Sequence, residues 1–521
     1  MRLFNTPEQR RCLTQIGRGV EKESLRINAG GTLAQSPHPD ALGSPLTHAS
    51  ITTDFSEALL EFITPVSTSI DETLGTLEDI HSFVARSLDK ELLWNASMPC
   101  IIEDDKSIPL ARFGDSNLAT MKTVYRRGLS HRYGRLMQVI SGIHYNFSMP
   151  KDWWQNLWEA QGRPGELGSF ITNRYLGLIR NFQRYSWLLI YLFGASPALC
   201  STFLRDGDTH GLEAFDDKGH SYYAPYGTSL RLGDLGYQSN AQKGLKVCYN
   251  ALENYISTLK SAILEPHPAY AEIGVKVDGE YRQLGDGLLQ IENEFYSTIR
   301  PKRVTESGQA PLVALQQSGI EYVEVRCIDV NPFLPCGIDA EQIRFLDTFL
   351  LYCLLNDSPD IDLKEKAAIN QNIATVVNRG REPGLMLSNP KGDRPFKQMA
   401  AAILSGMEPI ADLLDEAWED SHDYNIALTA QKAKVDDPEL TPSARVVREM
   451  REHKLPFLRL AMNYSERWSR HFKNRELAAD VAEDFRQQAL LSKAKQKAIE
   501  DTDTVDFDQH LAHYFAQYHD L

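Results

Sequence analysis

Seven cysteines are scattered over 521 residues, with no CxxC pair and no histidine at zinc-finger spacing, so neither a disulfide framework nor a structural zinc site is expected. Thiols used this way fit a reducing, cytoplasmic setting. Excess positive charge is missing too. Lys plus Arg total 55 against 70 Asp plus Glu, a net charge of −15, which excludes a general attraction to nucleic acid or anionic lipid. The longest apolar stretch, residues 187–200, is interrupted by Gly194, Ser196 and Pro197 and is too short to span a membrane. The leading segment MRLFNTPEQRRCLTQIGRG has no apolar core of the secretory kind. Also absent are the GxxxxGK[ST] phosphate loop, GxGxxG, GxSxG and HExxH. What remains is a packed protein of ordinary composition, 42% hydrophobic and 24% charged. Its length suits two to four domains or one elaborated catalytic domain.

Residues 17–66 read as strand, turn and strand, ended by Pro65, and apolar spacing from Asp71 to about Trp94 predicts a helix. In QVISGIHYNFSMP, Gly142, His144, Asn146 and Ser148 alternate with Ile143, Tyr145 and Phe147. The same alternation places Gln290, Glu292, Glu294 and Tyr296 on one face of LLQIENEFYSTIRPKR, and Tyr322, Glu324 and Arg326 on one face of EYVEVRCIDV. Helical segments are expected over 165–195 and 240–264. Beyond residue 339 the chain reads as mainly helical, with apolar faces near 343–355, 397–416, 440–462 and 476–500 and a polar loop over 387–396. The fold class is therefore α+β with a largely antiparallel sheet, divided at about residue 340 into a core and a helical region packed on it.

Carboxylates two apart on a half-buried strand, as at Glu21 and Glu23, repel unless something cationic lies between them. Taken alone they also fit the solvent face of an edge strand. Asp54 and Glu61 sit in an apolar run where an unpaired charge is costly. Being seven apart, they share a face only if Asp54 lies in the leading turn or a bulge intervenes. Taken alone, His144 fits a structural histidine, and Glu324 with Arg326 fits a cross-strand ion pair. Together, Glu21, Glu23, Asp54, Glu61, His144, Glu292 and Glu324 form an oxygen-rich set with one imidazole, suited to Mg²⁺ or Mn²⁺. Cations stand at Arg126, Arg231, Arg300, Lys302, Arg303 and Arg326. Carboxylates and guanidinium groups in one site suit a small anionic substrate beside Mg-ATP, and phosphoryl transfer to a carboxylate is the matching reaction class.

Eight ordered motifs carry a resemblance: GVEKESLRIN, ITTDFSEALLEFITP, YRRGLSHRYG, MQVISGIHYNFS, YLFGASPA, SLRLGDLGY, QIENEFYSTIRPKR and GIEYVEVRCIDVNPF. In this order they resemble the proteobacterial type of glutamate–cysteine ligase, from about residue 15 to 355. The resemblance implies a glutamine-synthetase-like fold whose curved antiparallel sheet forms a funnel for Mg-ATP, L-glutamate and L-cysteine. It implies metal ligands at Glu21, Glu23, Asp54, Glu61, His144 and Glu324, for two or three Mg²⁺ or Mn²⁺ ions. It gives Arg231 and Arg326 the substrate carboxylate and the transferred phosphoryl group, with Asp54 as a candidate base. Phe55, Tyr125, Gln138, Tyr237 and Tyr296 match positions of the cysteine pocket, and Lys302 and Arg303 are nucleotide candidates. The implied reaction forms γ-glutamylcysteine through γ-glutamyl phosphate, in a monomer open to feedback inhibition by glutathione. A sister ligase with another amine acceptor would keep the metal residues and alter the pocket of Tyr125, Tyr237 and Tyr296. Cys327, beside Arg326, reads as a packed strand residue.

Overall fold

The structure is a computed structural model that describes residues 10–204, 208–235, 242–419 and 421–521. Seven strands make one antiparallel sheet: β1 (Gly17–Ile27), β2 (Ile51–Thr53), β3 (Leu59–Ile63), β4 (Leu92–Leu93), β5 (Ile143–Ser148), β6 (Ile299–Lys302) and β7 (Tyr322–Ile328). Their order is β6-β7-β5-β1-β3-β2, with β4 pairing to the far end of β1. β1 is therefore central, flanked by β3 on one side and β5 on the other.

The apolar half of each alternating strand forms the back face. Val20, Phe62, Ile143, Tyr145, Phe147, Val323, Val325 and Cys327 are buried in one core. Burial pushes the Cys327 thiol up to about 12, so it is an inert packing group. Beneath that face lie α1 (Ile70–Ser87) and α3 (Leu167–Phe193), while α2 (Asn117–Tyr133) stands at the other side of the sheet. Ser69 and Ser116 start α1 and α2 by accepting hydrogen bonds from Glu72 N and Ala119 N. After the short α4 (Pro311–Ser318), the helical region follows: α5 (Ala340–Leu355), α6 (Leu363–Arg379), α7 (Phe396–Ala417), α8 (Asp423–Asp436), α9 (Pro442–His453), α10 (Phe457–Asn474), α11 (Ala479–Thr502) and α12 (Phe507–His519). Phe345 and Phe349 of α5 share the core with α3 and the sheet.

Two charged side chains enter this back layer. Arg18 meets Asp347 of α5 at 2.7 Å with both side chains fully buried, and it also donates to the carbonyls of Ile16 and Thr68. Tyr145 donates its hydroxyl to the same carboxylate at 2.6 Å. Lys22 donates to His81 Nε2 at 2.8 Å and to Asn95 Oδ1 at 3.1 Å. Burial pulls its ammonium down to about 8.

Several sequence expectations are corrected. Residues 289–298 do not continue the strand: Glu292–Glu294 is a 3-10 turn and β6 begins only at Ile299. The period-two pattern there yields to tertiary hydrogen bonds that draw both carboxylates inward. In β7 the register slips by one residue between Val325 and Ile328, so the strict alternation ends with a bulge beside Arg326. The helix expected to reach Trp94 stops at Ser87 to let β4 pair with β1. The one expected from 240 starts at Leu252. The 440–462 segment breaks at Lys454, which has φ 50°, and at Pro456, which cannot continue a helix. Residues 387–396 include a short pairing of Met386–Leu387 with Arg394–Pro395. Among the described residues, no helix is long and apolar enough to cross a membrane.

Candidate active site

Register decides which side chains meet on the front face. Glu21 lies opposite His144, Glu23 opposite Glu61, and Glu324 opposite Asn146. His144 Nδ1 is 3.2 Å from Glu21 and its Nε2 is 3.8 Å from Glu23. Asn146 donates to the other oxygen of Glu21 at 2.9 Å, and the Gly142 amide to Glu23 at 2.6 Å. One ligand atom each from Glu21, His144 and Glu324 lie within 4.8 Å of one another, as do those of Glu23, Glu61 and His144. A single imidazole thus belongs to both triplets.

Asp54 reaches this face from the turn between β2 and β3, where its amide donates to the Leu59 carbonyl at 3.0 Å. That turn absorbs the seven-residue spacing from Glu61. Arg126 of α2 holds the turn, donating to the Asp54 carbonyl and lying 3.9 Å from its carboxylate.

Charge is distributed unevenly. Burial and then repulsion from Glu21, Asp54 and Glu23 push the Glu61 carboxyl well above the ordinary range. Burial also raises Glu23 against the pull of His144. For Glu324 burial is overcome by Lys302 and Arg326, which hold it well below that range. Lys302 Nζ is 3.4 Å and Arg326 NH1 3.1 Å from its two oxygens. Among the described residues, no lysine or arginine comes within 4.0 Å of the carboxylates of Glu21, Glu23 or Glu61. Such a set of oxygens with one imidazole fits a hard divalent cation.

Arg231 enters from the turn Leu230–Leu232, buried, and donates to the Arg326 carbonyl at 2.9 Å. Behind it stands Asp329, 3.9 Å away, which accepts from Ser196 Oγ, Ser229 Oγ and the Ala195 amide. A Cβ at residue 142 would lie 2.0 Å from Arg231 NH2, so glycine is what lets the guanidinium approach β5. Arg300 turns back to the carbonyls of Asn293 and Phe295. Arg303 points away from the front face, toward the Gly319 carbonyl and Glu321.

Tyr296 and Gln138 are brought together, with the amide donating to the phenol oxygen at 3.0 Å. Phe55 is buried in one apolar cluster with Leu129, Val139 and Leu230, and Tyr125 packs against it. Tyr237 lies outside the described residues. A cavity of about 490 Å³ opens beside Arg231, Arg326 and Tyr296, walled by Leu245 and by Lys366 and Ile369 of α6. Burial lowers the Lys366 ammonium to about 8.

Glu292 leaves the predicted ligand set: its oxygens are taken by Tyr518 of α12 and the Leu312 amide of α4. Sequence reasoning missed Asp329, Lys122 and Lys366. Lys122, one helical turn before Arg126, is lowered to about 8 by burial and by Arg126 and lies in the field of Glu61 and Asp54. The motifs GASPA and SLRLG contain the serines that hold Asp329, but nothing in their spacing points to a carboxylate a hundred residues away.

A curved antiparallel sheet that gathers carboxylates, an imidazole and guanidinium groups on one face, over a helical back layer, belongs to the glutamine-synthetase-like class of ligases. The family model described as glutamate-cysteine ligase matches residues 1–376. The glutamate–cysteine ligase of Pseudomonas paraeruginosa is 50% identical over 97% of this chain and 95% of its own length. That of Saccharophagus degradans is 48% identical over 97% and 95%. A crystal structure of the Francisella tularensis glutamate–cysteine ligase in complex with AMP superposes with a TM-score of 0.91 at 37% identity, covering 97% of this chain and 98% of that one. A bifunctional glutathione synthetase from Pasteurella multocida matches with a TM-score of 0.73 at 25% identity, covering 94% of this chain and 57% of that one. The chain belongs to the glutamate–cysteine ligase family.

Proposed function

We propose that this chain joins L-cysteine to the γ-carboxylate of L-glutamate with cleavage of ATP to ADP and phosphate, the first step of glutathione biosynthesis, on the front face of its sheet. The observation that carries the residue assignment is the pair of carboxylate triplets sharing His144, three of whose acids have no lysine or arginine within 4.0 Å among the described residues. Glu21, His144 and Glu324, with Glu23, Glu61 and Asp54, hold the divalent cations, two or three Mg²⁺ or Mn²⁺. Bound there, such ions offset the repulsion between the glutamate γ-carboxylate and the ATP triphosphate.

The rest is done by the chain's own groups. Arg326, aimed by the β7 bulge and anchored through Glu324, and Arg231, backed by Asp329, hold the substrate carboxylate and the transferring phosphoryl oxygens. The γ-carboxylate attacks the γ-phosphate. The cysteine amine then displaces phosphate from the resulting acyl phosphate, losing a proton for which half-exposed Asp54 is the candidate acceptor. Phe55, Tyr125, Gln138, Tyr237 and Tyr296 shape a slot for cysteine, and the Gln138 amide with the Tyr296 hydroxyl supplies its polar contacts. Lys302 serves the nucleotide phosphates, and Arg303 serves that end of the site only if its side chain swings from Gly319. Glutathione carries the same γ-glutamylcysteinyl unit and so fits the two amino-acid subsites together as an inhibitor. We take residues 1–340 as the catalytic core of a cytoplasmic monomer and 341–521 as helical support. The test is ADP release with Mg-ATP and L-glutamate, with and without L-cysteine, read beside the mass of the product. Cysteine-dependent release with γ-glutamylcysteine formed is expected; turnover with a different amine instead would overturn the acceptor.

A further inference from the structure

The buried carboxylate of Glu292, which looks from sequence like part of the acidic site, is joined instead to the helix farthest along the described chain. Its Oε2 accepts the Tyr518 hydroxyl at 2.5 Å, in a position where Tyr518 is fully buried, and its Oε1 accepts the Leu312 amide at 2.8 Å. Two residues on, Glu294 accepts from Arg132 at 3.0 Å, Tyr133 at 2.6 Å and the Gln290 amide at 2.7 Å. The next residue but one is Tyr296. Its amide donates to Gln242, whose own amide group returns to the Glu294 carbonyl at 3.0 Å. The turn that carries Tyr296 is thus fastened on one side to α2 and on the other to α12. The same helix supports a second wall: Tyr514 and Phe515 of α12 pack on a cluster of Met121, Val124 and Leu284, against which Tyr125 also rests.

We propose that α12 is a positioning element for the acceptor amino acid, with Tyr518 setting the place of Tyr296 through Glu292, and Tyr514 and Phe515 setting that of Tyr125. This rests on the reading of Tyr125, Gln138 and Tyr296 as the cysteine slot. None of the α12 residues touches the carboxylates of the front face, so their influence falls on acceptor binding and not on phosphoryl transfer. A buried hydroxyl donating to a carboxylate is among the stronger single hydrogen bonds, and losing it frees the turn to shift. A displacement of a fraction of an ångström in a small slot is enough to change the fit of one side chain.

The variant is Tyr518→Phe in the full chain, assayed well below its melting temperature, with KM measured separately for cysteine, glutamate and ATP. The expected result is a cysteine KM raised about five- to tenfold, with the glutamate and ATP KM values and kcat at saturating cysteine within about twofold. Selectivity for cysteine over serine, as a ratio of kcat/KM, should fall with it. Glu292→Gln should act in the same direction, and the double variant should be little worse than Tyr518→Phe because both break one link. An unchanged cysteine KM in Tyr518→Phe, or an equal rise in all three KM values, would overturn the proposal. Gln138→Ala separates the two readings. If it leaves the cysteine KM alone, the slot itself is misplaced; if it raises the KM while Tyr518→Phe does not, the slot stands and α12 is only structural.

Discussion

The two faces of the sheet both bury charge, and they treat it in opposite ways. On the back, Arg18 and Asp347 neutralise each other, Arg18 also donates to two carbonyls and the Tyr424 hydroxyl, and Asp347 also accepts the Tyr145 hydroxyl. On the front, three and five residues further along the same β1 strand, Glu21 and Glu23 face Glu61 with, among the described residues, an imidazole, an amide and a peptide N–H as their hydrogen-bonding or ion-pair partners. Desolvating a charge costs several kcal/mol unless it is compensated. The back face compensates within the fold, whereas the front face compensates Glu21 through His144 and Glu324 through Lys302 and Arg326 but leaves Glu23 and Glu61 raised by burial and mutual repulsion. Buried charge that is internally closed is architecture; buried charge left open on one side marks a site.

That contrast can be broken at either end. Glu23→Gln or Glu324→Gln should lower kcat/KM by about a hundredfold or more, with the melting temperature unchanged or raised in Glu23→Gln, whose charge burial disfavours, and lowered in Glu324→Gln, which frees Lys302 and Arg326 of their partner; near-normal turnover in either removes that residue from the site. Asp347→Asn should do the reverse, costing about 3–5 kcal/mol of stability because it strands Arg18, with kcat preserved at low temperature. A urea midpoint equal to that of the parent chain would show the back pair to be dispensable. Mg²⁺ should stabilise the chain in the absence of nucleotide, by about 2.7 kcal/mol at a hundred times its dissociation constant. The shift should vanish in Glu23→Gln and persist in Asp347→Asn, and a shift retained in both would place the ion elsewhere.

The smallest effect is on pH. Burial holds His38 down to about 3 and His48 to about 4, and burial with Lys22 holds the back-face His81 well below its ordinary value. Their unfolded forms take up protons near pH 6.5, so stability is whole above that value and drains away as pH falls toward the folded values. Urea midpoints at pH 7.5, 6.5 and 5.5 should fall across the last interval; a midpoint that rises there contradicts the sign.

Strand periodicity made His144 and Glu324 legible, because they alternate with apolar residues on β5 and β7; Glu21 and Glu23 alternate with Val20, Lys22 and Ser24, and there the pair of carboxylates was the signal. The place of Asp54 in the leading turn was one of two options that the seven-residue spacing allowed, and the structure takes it. Glu292 and Glu294 misled because alternation alone cannot tell a strand from a turn whose acids are bonded to Tyr518 and Arg132. Asp329 behind Arg231, and α6 along the cavity, were invisible for a related reason: contacts between segments so far apart in the chain leave no local pattern.

The central place of β1 has a consequence in time as well as in space. Its neighbours come from residues 59–63 and 143–148, Arg18 closes a loop of 329 residues to Asp347, and the Ser44 amide reaches Ser492 across 448. Loops of that size are slow to find their ends, so the barrier to folding the sheet is high. Once closed, those same long connections tie the central strand to helices from the far end of the chain, so β1 takes its final place only when residues some three to four hundred further on have folded against it.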